Sequence, residues 1–520
     1  MNAFAPTYIS GFIQDKFELE DIIFNIGLRV DRFDANQKVL KDNYVLYPTY
    51  SALEANELLG NELPSTVGEN WVPYMDNATS PTSIVGYRDP STNFWYDPNG
   101  APTSSVNLRQ GGTVQPYVKS KTIDIQSFKD YVPQTIVMPR LSFSFPISDQ
   151  AVFFAHYDVL AQRPGQINTS SGSLLAGQIS DYYYLQNTAT IDVTNPNLKA
   201  ERTIDYEVGF KQKVNDFMAL SLSTFYREMR DMMQTQSIID AYPLNYTTYT
   251  NLDFGTVKGF TAALNMLRVK NIRMNVSYTL QYATGTGSSF SSSRNAVNSL
   301  AGFTAIRNLL PLDFDTRHRI TANVDYRFGG NDAKGPGLKL GKGDGAKTIY
   351  PLANMGLNST LYYSSGLPYS ANSQANAADV MGGINQSIQL KGTPNGSRLP
   401  GQFRIDMKID KDFLIGGGLK KDKTGNPVKD SFGTAVKRHQ YSFNVYLLLL
   451  NAFNFKNIVG VYKTSGQPDS DGFLSTGVGA QLSAGQIDPA TFQYLYTLKA
   501  NNPGNISAPR RIQLGIQFSF

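Results

Sequence analysis

The last ten residues, 511–520 (RIQLGIQFSF), constrain the fold most. Ile512, Leu514, Ile516, Phe518 and Phe520 fall on one side of an extended chain. Arg511, Gln513, Gly515, Gln517 and Ser519 fall on the other. Side chains of a strand alternate with period two, so this is a β-strand with one apolar face. The pattern recurs. In residues 203–214, Ile204, Tyr206, Val208 and Phe210 oppose Asp205, Glu207, Gly209 and Lys211. In residues 272–282, Met274, Val276, Tyr278 and Leu280 oppose Asn275, Ser277, Thr279 and Gln281. In residues 319–328, Ile320, Ala322, Val324, Tyr326 and Phe328 oppose Thr321, Asn323, Asp325 and Arg327. In residues 403–413, Ile405, Met407 and Ile409 oppose Arg404, Asp406, Lys408 and Asp410.

These segments are long. Strands in soluble proteins average about 5–6 residues, whereas a strand crossing a bilayer needs about 9–11. A closed barrel can sit in lipid because closure pairs every backbone group, with an apolar outer face and a lumen that tolerates charge. The reading is therefore all-β: an antiparallel transmembrane β-barrel. The competing reading is a large soluble β-sandwich with its apolar faces packed inward. No helix-length apolar run offers another route through a membrane. The longest, residues 445–450, is far short of the roughly 20 residues a spanning helix needs. Residues 1–19 contain Asp15, Lys16 and Glu18 and no apolar block before a cleavage site, so no secretory signal is read there.

The connections separate barrel from sandwich. Thirteen strands are expected, near residues 7–19, 22–34, 135–148, 151–164, 202–214, 218–236, 249–269, 272–286, 315–329, 356–371, 402–414, 439–461 and 509–520. Tight turns at Glu20-Asp21, Asp149-Gln150, Asn215-Asp216 and Lys270-Asn271 alternate with long connections at 35–134, 165–201, 237–248 and 287–314. A barrel puts turns at one end and extracellular loops at the other. Residues 330–355 and 415–438 fall on the turn side by parity yet are long; 372–401 and 462–508 keep the loop side. Single-chain bacterial barrels have even strand numbers. An odd count implies either one strand too many or too few in this reading, or an incomplete barrel; a pairing of first and last strands would refute the latter.

Composition narrows the chemistry. The absence of cysteine excludes a disulfide scaffold, a thiolate metal site and thiol catalysis, and three histidines leave little for a metal centre. Aromatics at 12% exclude a disordered chain. A net charge of +5 over 520 residues implies no nucleic-acid partner. No cofactor is expected.

Several segments, in order along the chain, resemble the C-terminal half of TonB-dependent outer-membrane receptors. They are residues 8–19 (YISGFIQDKFEL) followed by 22–34 (IIFNIGLRVDRFD), 195–201 (NPNLKAE) leading into TIDYEVGF, and 225–233 (FYREMRDMM). Then come 315–319 (DTRHR), 364–370 (SSGLPYS), 450–454 (LNAFN) and the terminal Phe520. Each motif is weak alone; the set and its order carry the resemblance. It implies a 22-stranded barrel around a plug, of which the thirteen strands are the last, with the plug domain and the other part of the barrel absent from this chain. The long loops and the NPNLKAE form are similar to the large branch with a carboxypeptidase-regulatory-like domain, close to starch-utilisation-type importers. The family is one of Gram-negative outer-membrane proteins that actively import large or scarce nutrients. Its implied partners are outer-membrane lipid, the plug, the TonB complex acting through that plug, the barrel-assembly machinery reading Phe520, and a surface lipoprotein. A porin-like or self-contained channel, or a surface-attached β-rich adhesin, stands as the alternative.

Candidate residues fall in two groups. Asp205, Glu207, Asp325, Arg327, Arg404, Asp406 and Lys408 lie on the polar faces of strands and are expected to line the lumen, paired, solvated or touching the plug. Residues 35–134, read as one long extracellular loop, hold both tryptophans. Trp71, Tyr74, Trp95 and Tyr96 are candidate ligand contacts there, the other reading being an aromatic core for the loop itself. His156 and Asp158 beside Ser142 and Ser144 make a weak hydrolase set, and the chain is read as no enzyme. His318 is read as structural and His439 as solvated. Residues 337–343 (GLKLGKG) fail the phosphate-loop spacing, and residues 469–472 (DSDG) lack the later acidic ligand of a calcium loop.

Overall fold

A computed structural model describes residues 5–77, 80–163, 181–182, 192–289, 308–329, 334–341, 347–375, 380, 389–416, 427 and 440–519. Thirteen strands form one continuous antiparallel ladder in which sequence neighbours are spatial neighbours. They are β1 (Thr7–Leu19), β2 (Ile22–Asp34), β3 (Gln134–Ser148), β4 (Ala151–Gln162), β5 (Glu201–Asn215), β6 (Met218–Ile238) and β7 (Tyr246–Val269). The ladder continues through β8 (Ile272–Gly285), β9 (His318–Arg327), β10 (Met355–Ser364), β11 (Gln402–Gly416), β12 (Gln440–Leu450) and β13 (Arg511–Ser519). All thirteen expected strands are present. Among the described residues, β1 pairs only with β2 and β13 only with β12, so the sheet does not close.

The register shows which face is buried, and it excludes the sandwich. In β2, Phe24, Ile26, Leu28 and Val30 are 37, 46, 41 and 36% exposed, while Asp31 on the other face is 7% exposed. The apolar residues are the exposed ones, the reverse of a protein in water. The rows run unbroken from strand to strand. Phe153 lies opposite Phe210, which lies opposite Leu222, and Leu357 opposite Ile409, which lies opposite Leu447. On the polar face, aromatic rings cover glycines across the ladder. A Cβ on Gly259 would sit 2.5 Å from the Phe225 ring, and one on Gly515 would sit 2.2 Å from the Tyr446 ring. Each pair is directly opposed, so the ring and the missing side chain interlock.

The turn side is as expected. Glu20 and Lys270 take φ of 53° and 52° in two of the tight turns. Several strand ends differ from expectation, each for a local reason. The strand expected over 439–461 stops at Leu450 because Asn451 adopts φ 52° and folds its side chain onto the Phe455 amide and carbonyl, both at 2.9 Å. The strand expected over 356–371 stops at Ser364, and Pro368–Tyr369 pairs instead with Ser397–Arg398. The chain passes Leu399 so closely that a Cβ on Gly366 would lie 1.6 Å from its carbonyl oxygen. The strand expected from 315 starts at His318 because Asp315 is fully buried, accepting from the Ala283 amide at 2.8 Å and pairing with Arg398. Residues 462–508, expected as loop, contain a helical hairpin, α1 (Gly477–Ala484) and α2 (Pro489–Ala500). Asp488 caps α2 and Pro489 starts it, a pairing legible in the sequence.

β6 and β7 run 21 and 24 residues, about twice what a bilayer requires. They shorten the connection expected at 237–248 to residues 239–245, and their ends stand beyond the rest of the ladder as a post. Residues 195–201 brace it: Asn195 donates to the Tyr249 carbonyl at 2.8 Å, and Leu198 packs on Tyr249 and Met233.

Candidate functional site

The seven charged residues singled out on strands share the polar face, and the sheet groups them. Asp205 in β5 accepts from the Arg227 guanidinium of β6 at 3.1 Å. His156 of β4 lies between two carboxylates, its Nε2 3.9 Å from Asp205 and 3.7 Å from Glu207. Asp325 pairs with Arg268 near the turn side. Arg327 reaches two strands along to Asp410 at 2.8 Å and Asp412 at 3.5 Å, and Asn444 donates to Asp412 at 2.6 Å. Arg404 pairs with Asp406 at 2.7 Å and lies over the Tyr362 ring; Asp406 also accepts from the Asn451 amide at 2.8 Å. Lys408 sits over the Tyr446 ring at 4.9 Å. Alternation and register place these charges: in a strand with one apolar face, every charge must go to the other. Pairing reduces the cost of holding them on a wall that lipid backs.

The rest of the weighed residues take structural places. The Ser142 hydroxyl accepts from Asn25 at 3.2 Å. His318 Nδ1 is 3.0 Å from the Tyr278 hydroxyl. Asp471 is buried, accepting from the Phe473 amide at 3.0 Å and the Tyr496 hydroxyl at 2.5 Å, and so pins the helical hairpin. His439 and Phe520 lie outside the described residues, as do Lys342 and Gly343.

Residues 35–134 build a small folded unit on top of this wall. α3 (Ala52–Leu59) opens on a capping box formed by Ser51 and Glu54. A four-stranded sheet runs through Val72–Met75, Ile84–Arg88, Trp95–Tyr96 and Pro102–Thr103, and Lys38–Leu40 pairs with Phe128–Asp130 at the base. Two apolar clusters fill it, one around Ala52, Ala55, Met75 and Tyr87 and one around Val45, Val72, Tyr74 and Val114. The four aromatic candidates belong to these clusters. Trp71 lies against Tyr96 with ring centroids 4.4 Å apart, and Tyr74 against Trp95 at 4.8 Å. Tyr74 is fully buried, whereas Trp71, Trp95 and Tyr96 keep partial exposure.

Arg88, which no sequence pattern marks, is the hub of the unit. It is 0% exposed, pairs with Asp42, and donates to the Tyr74 hydroxyl at 3.1 Å and to Asn93 at 3.0 Å. Its guanidinium lies 4.7 Å from the centre of the Tyr44 ring. Burial alone would lower its pKa; the neighbouring Tyr74 and Asp42 more than reverse this and hold it above the ordinary arginine value. Burial raises the Tyr44 and Tyr74 hydroxyls, keeping both neutral. The unit is bolted to the post. Arg109 grips Asp240 with two bonds of 2.9 and 3.1 Å, Tyr246 donates to the Asn43 carbonyl at 2.6 Å, and Leu40 and Leu46 pack with Ile238, Ala241 and Tyr246.

The arrangement therefore has a lipid-facing wall, a polar face of paired charges, and a rigid unit fastened above it. Residues 3–413 match the family model described as TonB dependent receptor-like, beta-barrel. No curated protein matches the chain. Among solved structures, the chain is similar to the closed form of the ferric-catecholate import receptor Fiu from Escherichia coli K12. That likeness has 12% identity and a TM-score of 0.40, covering 89% of this chain and 42% of that one. It is also similar to the FrpB iron transporter from Neisseria meningitidis (F3-3 variant), at 11% identity and a TM-score of 0.39, covering 87% and 42%. A third is the outer membrane transporter YddB from Escherichia coli, at 10% identity and a TM-score of 0.37, covering 87% and 51%. The chain thus spans about two-fifths of the length of the first two structures, 42% in each case.

Proposed function

The chain belongs to the TonB-dependent receptor family, in its β-barrel part, and its place is the outer membrane of a Gram-negative bacterium; from that premise we propose that it is the barrel segment of an active importer of a large or scarce nutrient. The inverted exposure of β2, apolar residues outward and Asp31 inward, supports the lipid-facing barrel in this reading, and the family match over residues 3–413 favours active import over a porin-like channel. In this reading Asp205, Glu207, Asp325, Arg327, Arg404, Asp406 and Lys408 line the lumen, and the unit of residues 35–134 stands on the extracellular side as part of the ligand-capturing rim. The remaining barrel strands and a plug complete the receptor, TonB acts through the plug, and the assembly machinery reads the C-terminal strand. A surface lipoprotein is a further partner of this branch. The function is transport, not catalysis.

The test is uptake by cells carrying the full-length receptor, with and without TonB. Surface binding is expected in both and accumulation only with TonB. Accumulation that persists in TonB-null cells points to a porin-like channel and overturns the proposal. Heat-modifiable migration in detergent gels is expected as well, and an adhesin that migrates alike with and without heating would contradict the barrel.

A further inference from the structure

The lipid-facing side of the sheet carries a row of tyrosines at one level. Tyr157 of β4 lies opposite Tyr206 of β5, and Tyr206 opposite Tyr226 of β6. Tyr226 then lies opposite Lys258 of β7, and Lys258 opposite Tyr282 of β8. The next row toward the turn side reads Val208, Thr224, Phe260 and Leu280, with the Thr224 hydroxyl donating to the Gly259 carbonyl at 3.1 Å. The next row toward the loop side reads Ile204, Glu228, Thr256 and Thr284. The face changes from apolar to polar across one row. Such a row marks the edge of the hydrocarbon layer, where membrane barrels carry aromatic girdles.

Lys258 breaks this girdle. A lysine on the lipid face is costly in hydrocarbon and tolerable only near the interface. It is exposed and has no ion-pair partner among the described residues. The arginines beyond it are matched, Arg230 by Glu228 at 2.5 Å and Arg202 by Asp231 at 2.7 Å. On the other side of Tyr282, the Arg317 guanidinium lies 4.8 Å from the centre of the tyrosine ring. Its acidic neighbour Asp315, 3.4 Å away, also engages Arg398, so these three residues keep a net positive charge. Asp315 is fully buried and accepts from the Ala283 amide at 2.8 Å, which fixes the base of the Arg317 contact. Two cations therefore flank one aromatic ring at headgroup level, with Tyr226 on the far side of Lys258.

We propose that Lys258 and Arg317 clamp the phosphate of a lipid in the outer leaflet. The phosphate accepts from the ammonium and the guanidinium across the Tyr282 ring, and the acyl chains lie along Phe260 and Leu280 in the row beneath. A lipid fits better than a soluble anion because apolar surface lies directly under the charges and the site opens sideways, into the membrane. Arginine offers a planar fork to phosphate oxygens, and lysine a mobile point charge. Lys258 and Tyr226 belong to β7 and β6, the strands that rise into the post, so the lipid buttresses the support of residues 35–134. The choice of leaflet rests on the extracellular placement of the loop side in the proposed function, and not on the cargo.

The experiment is native mass spectrometry of the purified full-length receptor in detergent, titrated with diphosphoryl lipid A and with the same lipid dephosphorylated. The phosphorylated form is expected to bind at least about fivefold more tightly. Lys258→Gln is expected to lose about fivefold in affinity for it, the contribution of one cation near an anionic surface, and Arg317→Gln a similar factor. Lys258→Arg should stay within about twofold of wild type. Lys211→Gln removes a cation that lies over Phe154 on the polar face, and should bind as wild type does. Heat-modifiable migration checks that each variant is folded. Equal binding of the two lipids overturns the proposal. So does Lys258→Gln that binds like wild type, Lys211→Gln that binds as weakly as Lys258→Gln, or displacement of lipid A by excess inorganic phosphate, which would make this a site for a free anion. Antibody labelling of residues 35–134 on intact cells reports the placement separately. An inaccessible unit would overturn that placement, and with it the choice of the outer leaflet.

Discussion

The barrel wall and the unit of residues 35–134 bury opposite things. In β2 the apolar side chains face outward and Asp31 is hidden; in the unit Tyr74, Met75 and Tyr87 are hidden and the charges stand outside. Arg88 is the exception inside, and it is neutralised by Asp42 and wrapped in aromatic rings. One chain thus follows two solvent rules, separated by the few residues between Asp34 and Lys38. The wall is stabilised by a ladder of long strands and by lipid, and tolerates an open polar face. The unit has only its small core and its bolts to β6 and β7, so it is the part a single change can undo.

Arg88→Ala breaks the comparison hardest. Removing one partner of a buried pair leaves Asp42 and the Tyr74 hydroxyl without their counterpart, and such losses cost about 3–5 kcal/mol. Hydrogen exchange should show residues 52–59 and 72–88 losing protection while β5 to β8 keep theirs. Equal loss in both regions would mean that wall and unit are one cooperative body.

The next largest effect tests the wall. Ile516 lies on the apolar face of β13 and Gln517 on the polar face, opposite Val445 and Asn444 respectively. Ile516→Arg is expected to cost about 2–4 kcal/mol near the bilayer midplane, and Gln517→Arg close to nothing. Folding yield into lipid vesicles, read by gel migration, measures both. Equal tolerance would reverse the face assignment.

The wall was legible in the sequence because period two leaves no choice: once Ile512 to Phe518 face one way, Gln513 and Gln517 must face the other. Thirteen strands, their order and the tight turns follow from that rule. The strand ends at Leu450 and Ser364 did not, because Asn451 and Gly366 act through contacts with residues such as Phe455 and Leu399 that alternation does not encode. The unit was legible only as a concentration of aromatics. Its core depends on pairings such as Trp71 with Tyr96 and Arg88 with Asp42, set by a tertiary arrangement of short strands too brief to show a period.

The smallest effect separates charge from capping within the unit. Lys119 donates to Glu54 at 2.8 Å, and the Ser51 amide donates to it at 2.8 Å as well. These bonds, that of Lys119 first, hold the Glu54 carboxyl below its ordinary pKa. A depressed carboxylate stabilises the fold above its unfolded value, about 4.3, and the contribution is lost as pH falls through the folded value. Glu54 is about half exposed, so water screens the pair and the contribution is about 0.5 kcal/mol. Glu54→Gln keeps a side chain able to complete the capping box and removes only the charge. At pH 7 the variant should open α3 about twofold more often in hydrogen exchange, a factor that matches 0.5 kcal/mol. As pH is lowered from the unfolded value, the difference between wild type and variant should shrink and vanish once the folded carboxyl is protonated. The barrel strands should not respond at any of these pH values. A difference that persisted unchanged as pH fell would place the stabilisation in the cap and leave the Lys119 pair without energetic weight.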